Sequence, residues 1–316
     1  MASRHCKNID LLTNSDIHAF IDSFDTILCD VDGVLRTGSH VIGGSPEVIQ
    51  AFKELGKQVY YVSNNCMQSR KTFLERFVRL GYHGNVEDVF TTSYLCAQYL
   101  KEQHFSKTAY VLGPKGIQEE LDEVGIGNIG YGPDPTPENW YNPDVAKNIV
   151  KSFEPDIGCV IAGLTYDISY MKLIKAISYL DNPDVIFLGT SMDKKFQVAK
   201  GFTVPADGAF VATVQTATGR SATTLGKPNR YMFEAIKALH PGITAERTLM
   251  IGDSPTSDVL FGNTCGLMTL MVGTGSGTLD GIRKWEMNVD EKTQQLIPDF
   301  YINRLGDLLP HLKRHL

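Results

Sequence analysis

The stretch LCDVDGVLRTG, residues 28–38, decides the fold. It ends an apolar run, DTILCD (25–30), that reads as a buried strand, and then sets two aspartates two positions apart with a glycine behind them. A strand ending in Asp-x-Asp-Gly has two meanings. One is an ordinary turn, since Asp and Gly both suit tight reversals. The other is a pair of carboxylates held at a sheet edge to act together. The surrounding pattern chooses between them.

Downstream, SPEVIQAFKELG (45–56) is expected to be helical, with Ser45 as N-cap, Pro46 in the first turn and Gly56 at the exit. Val48, Ala51, Phe52 and Leu55 fall on one face of that helix. QVYYV (58–62) reads as the next strand and 69–80 as a second helix, with Phe73, Phe77 and Leu80 on a face. Strand and helix alternating through short connections predicts an α/β fold with a Rossmann-like parallel sheet. The pattern returns late: helix 230–240, strands RTLMI (247–251) and LMTLMV (267–272), and a short helix between those strands. Pro310 is expected to limit any helix in the tail DLLPHL (307–312). Between the halves lie strands TAYVLG (108–113), IGCVIAGL (157–164) and DVIFLG (184–189), helix 169–180, and a Gly/Pro/Asn-rich loop over 127–144. This predicts a discontinuous catalytic core, 1–105 and 205–316, with a second α/β unit inserted over 106–204.

Composition narrows the function. At 316 residues and 42% hydrophobic the chain is long for one domain, which favours two compact units. A net charge of −6 gives no basic footprint for nucleic acid. Cys6, Cys29, Cys66, Cys96, Cys159 and Cys265 form no CxxC pair, and Cys29 and Cys159 sit in apolar runs, so they read as small buried hydrophobes. MASRHCKNIDLLTNSD (1–16) has no apolar leader core, and no run approaches the ~18–20 residues of a membrane span. A soluble protein of the reducing cytoplasm is expected.

Four features stand where strands or helices begin or end. They are Asp30-Val31-Asp32-Gly33, Ser63-Asn64-Asn65, Gly226-Lys227-Pro228, and Gly252-Asp253 with Asp258 five residues on. Taken singly, each is an ordinary turn, cap or solvated lysine. Together they bring three carboxylates, a hydroxyl and an ammonium to the carboxyl edge of a parallel sheet, where ligands bind in open α/β folds. That set suits phosphoryl transfer to water. Asp30 is the candidate nucleophile, forming an aspartyl-phosphate, and Asp32 the candidate acid–base. Mg²⁺ is the expected cation, held by Asp30 and Asp253 through side chains and by Asp32 through its backbone carbonyl. Asp258 is placed either to hold a metal-bound water or to orient Lys227. Ser63 and the amide of Asn64 are expected to bind phosphoryl oxygens, and Lys227 to neutralise charge there.

These pieces resemble the haloacid dehalogenase superfamily, in the branch of capped phosphatases that includes the phosphoglycolate and pyridoxal phosphate phosphatases of animals. The resemblance rests on CDVDGVL (29–35), VSNN (62–65), GKPNRYMFE (226–234) and IGDSPTSDVLFGNTCG (251–266), and covers nearly the whole chain. It implies the same roles: nucleophile Asp30, acid–base Asp32, phosphate-binding Ser63, Lys227, metal-binding Asp253 and a second acidic position at Asp258. It also implies that the inserted unit is a substrate-selecting cap through which members often form homodimers. The chain departs from the pattern at Arg36, where relatives commonly carry Trp. It departs again in GLTYDISY (163–170), where Thr165 and Asp167 replace the family's Asp and His, and in TSMD (190–193). Arg36, Tyr166, Asp167 and Met192 are substrate-facing by analogy and ordinary loop residues otherwise, so neither substrate named above is carried over. The expected activity is Mg²⁺-dependent hydrolysis of a small phosphorylated metabolite. A dehalogenase would not need Asp32, and the cap type speaks against a phosphomutase. The alternative of another class is a silent binding or regulatory paralogue.

Overall fold

The computed structural model describes residues 4–199, 201–288 and 290–315; the first three residues of the N-terminal stretch lie outside it. The strand expected at 25–30 is an interior strand of a seven-stranded sheet. Its strands are β1 (Lys7–Asn8), β2 (Thr26–Cys29), β3 (Gln58–Ser63), β4 (Val89–Thr91), β5 (Thr248–Gly252), β6 (Met268–Val272) and β7 (Phe300–Ile302). They lie in the order β1-β7-β6-β5-β2-β3-β4. Pairing is parallel from β1 through to β3. All four residues of β2 are buried, as a central parallel strand covered on both faces requires. The register sets Ile251, Cys29 and Tyr61 abreast. The residues that follow them therefore emerge side by side at the carboxyl edge.

The helix after β2 runs Ser45–Glu54 and buries Val48, Ile49, Ala51 and Phe52. Each large apolar side chain stabilises the fold by about 1.5–3 kcal/mol. Its cap differs from expectation. Gly44, at φ +83°, is the N-cap, and Ser45 is already inside the first turn. Ser45 is drawn inward instead: its Oγ lies 2.5 Å from Ile42 O and 2.7 Å from Tyr82 Oη, and Tyr82 Oη donates to Leu35 O at 2.6 Å. The tail also differs. Leu309–His315 is helical, with Pro310 in the first turn, where a missing N–H breaks no helical bond. All six cysteines are free and buried.

The inserted region has its own five-stranded sheet, in the order Thr223–Thr224, Ile186–Gly189, Ile157–Ala162, Thr108–Leu112, Asn128–Ile129, with every pair parallel. Its core gathers Tyr110, Leu112, Val160, Phe187, Val211 and Val214. The compact unit comprises Asn64–Phe73 and Thr91–Gly226 and so exceeds the expected 106–204. The reason is tertiary. Helix Asp207–Thr218 sends Val211 and Val214 into this core, and Thr223–Thr224 extends this sheet. Helix Thr92–Glu102 packs on helix Lys115–Glu123 of the same unit. Among the described residues, no helix is long and apolar enough to cross a membrane.

Candidate active site

The centre of the site is a buried lysine between two aspartates. Lys227 Nζ lies 2.6 Å from Asp30 Oδ1 and 2.7 Å from Asp258 Oδ1, and 3.4 Å from the carbonyl of Val62. Lys227 and Asp258 are each 2% exposed and Asp30 7%. At that depth a lone charge would cost several kcal/mol, so each needs the others. Asp258 is anchored from behind, its Oδ2 accepting from the backbone amides of Asp253 and Ser254 at 3.0 Å each. Its carboxylate lies over Gly252, where an added Cβ would come within 2.1 Å of Asp258 Cβ. Asp258 thus turns one carboxylate oxygen to Lys227 and the other to the two backbone amides.

Asp253 follows β5, and its Oδ2 accepts from the amide of Ser276 at 3.1 Å. Gly33, at φ +89°, lets the β2 loop pass close to it; a Cβ there would lie 2.7 Å from Asp253 Cγ. Asp30, Asp253 and Asp258 each offer a carboxylate oxygen, all within 4.8 Å of one another. Three acids against one ammonium leave a local excess of negative charge. Burial and the neighbouring Asp258 push the Asp253 carboxyl up to about 7. Burial and Asp258 also raise Asp30, against the pull of Lys227. Lys227 stays protonated: burial opposes its charge, but Asp258 and Asp30 hold its pKa well above the usual lysine value. A hard divalent cation with oxygen ligands fits this donor set and relieves the repulsion.

After Asp30 the chain turns sharply. Leu35 N–H donates to Val31 O at 2.9 Å and Gly33 N–H to Arg36 O at 2.8 Å. The turn brings Arg36 back onto Asp32, with Nε 3.2 Å from Oδ1 and Nη2 3.4 Å from Oδ2. Arg36 thus faces the candidate acid–base. The Asp32 side chain is 48% exposed and stands outside the acid cluster. Burial raises its pKa, and the Arg36 guanidinium opposes this.

Ser63 closes β3 and is buried. Asn64 belongs to the other compact unit, where its side-chain amide donates to Asp193 Oδ2 at 2.9 Å. In the inserted unit, Tyr166 (78% exposed) and Met192 (41%) present large apolar side chains to solvent. Asp167 is exposed too, with its amide bonded to Thr165 Oγ1 at 3.2 Å. The sequence reading missed Asp207. This buried acid accepts from Thr190 Oγ1 (2.7 Å), Leu164 N (3.2 Å) and Cys66 Sγ (2.9 Å). It joins the TSMD and GLTYDISY segments to the loop after Asn65. An Ala-Asp-Gly after a proline reads as a turn, so nothing local signals this role.

Comparison with known proteins agrees with this geometry. Residues 27–127 match a family profile described as haloacid dehalogenase-like hydrolase, and residues 224–308 match a HAD-hydrolase-like profile. The chain is 34% identical over 307 residues to glycerol-3-phosphate phosphatase of Homo sapiens, covering 93% of each. It is 33% identical over 292 residues to 4-nitrophenylphosphatase of Schizosaccharomyces pombe, covering 92% of this chain and 94% of that one. The solved p-nitrophenyl phosphatase from Archaeoglobus fulgidus shares the fold at a TM-score of 0.75 and 22% identity, over 91% of this chain and 99% of that one. The chain therefore belongs to the haloacid dehalogenase-like hydrolases, in their capped phosphatase branch.

Proposed function

We propose that this protein is a Mg²⁺-dependent phosphatase that hydrolyses small phosphomonoesters through an aspartyl-phosphate on Asp30. The observation that carries the reading is the buried Asp30–Lys227–Asp258 triad with Asp253 beside it. Asp30 and Asp253 would hold the cation through side chains and Asp32 through its backbone carbonyl. When bound, the cation supplies positive charge to the phosphoryl oxygens and offsets the acid cluster.

The Asp30 carboxylate attacks phosphorus, and the P–O bond to the substrate alcohol breaks. Asp32 gives its proton to the departing oxygen; its raised proton affinity and its half-open position suit that transfer. Asp32, now ionised, takes a proton from water. That water attacks phosphorus, the P–O bond to Asp30 breaks, and inorganic phosphate leaves. Lys227 balances charge on Asp30 and on the phosphoryl group throughout, and Ser63 and the amide of Asn64 orient phosphoryl oxygens. The inserted unit selects the substrate through Tyr166, Asp167 and Met192, and a homodimer through that unit and a cytoplasmic location complete the reading. A silent paralogue has less behind it, because Asp30, Asp32, Lys227 and Asp253 are all present.

The test compares wild type with Asp30→Asn on 4-nitrophenyl phosphate and glycerol 3-phosphate, substrates named for its relatives, with and without Mg²⁺. Turnover that needs Mg²⁺ and vanishes in the variant is expected. Turnover that survives Asp30→Asn would remove the nucleophile from the mechanism.

A further inference from the structure

A cluster of two imidazoles and a carboxylate lies in the first compact unit, on residues the phosphatase chemistry does not use. Helix Asn14–Asp22 places His18 and Asp22 one turn apart on one face. Helix Leu309–His315 packs against it and brings His315 to the same spot. His18 Nδ1 and His315 Nδ1 face each other at 2.6 Å, with ring centroids 4.6 Å apart. On its far side, His315 Nε2 lies 3.0 Å from Asp22 Oδ1.

From this geometry we infer that His18 and His315 form a binding site for a divalent transition-metal ion of the Zn²⁺ or Cu²⁺ class. A carboxylate only accepts, so Asp22 fixes the His315 proton on Nε2 and leaves a bare lone pair on Nδ1. That lone pair points at the Nδ1 of His18. A histidine oriented by a carboxylate through its other nitrogen is the usual arrangement behind a metal-bound imidazole. Without an ion, His18 donates into that lone pair. With one, both nitrogens become ligands; bonds of about 2.0–2.1 Å set them about 3.3 Å apart, which a small rotation of the rings supplies. His18 is exposed and Asp22 is 68% exposed, so water completes the coordination. The helix Leu309–His315 also carries His315 in its last turn, where the negative end of its dipole favours a cation. Arg314, the nearest cation in sequence, is turned towards Asn14 Oδ1. The donors are nitrogens, whereas the catalytic cluster offers only carboxylate oxygens, so the two sites differ in the metals they prefer. A bound ion would clamp the last described helix to the first.

The experiment titrates the full chain with Cu²⁺ in saturating Mg²⁺ and reads nitrogen hyperfine structure by electron paramagnetic resonance. Zn²⁺-dependent thermal shifts are recorded beside it. Wild type is expected to show one ion with two-nitrogen ligation and a rise in melting temperature with Zn²⁺. His18→Ala and His315→Ala are each expected to lose both signals. Asp22→Asn is expected to weaken binding at least ~10-fold. Mg²⁺-dependent turnover of His18→Ala should match wild type, which shows that the variant folds. No nitrogen-ligated ion in wild type, or ligation unchanged in both histidine variants, would overturn the proposal. Undiminished affinity in Asp22→Asn would overturn the part given to the carboxylate.

Discussion

Lys227 sits between Asp30 and Asp258 and is the most exacting residue of the site. Lys227→Met would leave two buried carboxylates without their cation. Removing one partner of a buried ion pair costs about 3–5 kcal/mol, and removing a preorganised charge from a phosphoryl site costs about 10²–10³ in turnover. Urea unfolding and Mg²⁺-supported hydrolysis should show both losses; full stability in the variant would contradict the triad. Gly252 gives a second test, because it brings no functional side chain of its own to the site. A methyl group there would meet Asp258 Cβ, so Gly252→Ala should displace Asp258 and destabilise by about 1–3 kcal/mol. Turnover should fall with it, and unaltered turnover would mean that Asp258 does not orient Lys227.

At the scale of elements, the edge depends on β2 and β5 keeping register. Asp25 and Arg247 stand just before these strands, joined by a two-pronged pair, Nε–Oδ2 at 2.8 Å and Nη2–Oδ1 at 2.7 Å. The hydrogen bond from Arg247 lowers the Asp25 pKa in the folded state. A carboxylate depressed on folding stabilises above its unfolded value, about 3.9, and that contribution is lost as pH falls through the folded value. Asp25→Asn should therefore lower the melting temperature slightly at pH 7, and the gap should close as the pH falls below about 4. A gap independent of pH would exclude the ion pair as its cause. In the inserted unit, Asp207 ties Thr190, Leu164 and Cys66 together. Asp207→Ala leaves those donors unmatched in a buried place, an expected loss of about 2–4 kcal/mol. Thermal unfolding measures it, and a loss under about 0.5 kcal/mol, the size of an ordinary surface change, would show that the segments hold without it.

For the whole molecule, two large sheets in separate compact units predict unfolding that is not all-or-none. The acid cluster lies wholly in the first unit. Mg²⁺ at 100 times its dissociation constant should stabilise that unit by about 2.7 kcal/mol and leave the transition of the other where it was. Phe187→Ala, in the inserted core, should do the reverse, lowering its own unit by about 3–5 kcal/mol. Scanning calorimetry with Mg²⁺ or a chelator distinguishes these, and a single transition that both changes move equally would contradict the division.

The sequence by itself determined the parallel core and pointed to the acids at its strand ends. The apolar runs, the helix-period faces and the acids at strand ends are local patterns, and chain geometry allows few ways of assembling them. Tertiary structure alone decided what these patterns could not carry. Ser45 does not cap its helix, and its hydroxyl instead meets Ile42 O nearby and Tyr82, 37 residues away. The inserted unit grew to Gly226 because Val211 and Val214 found their core there. Arg36 turned to Asp32, Asp207 gathered three segments, and His18 met His315 across 297 residues. Each is a long-range or turn-dependent pairing of polar groups, and no periodicity encodes which partner a polar side chain will meet.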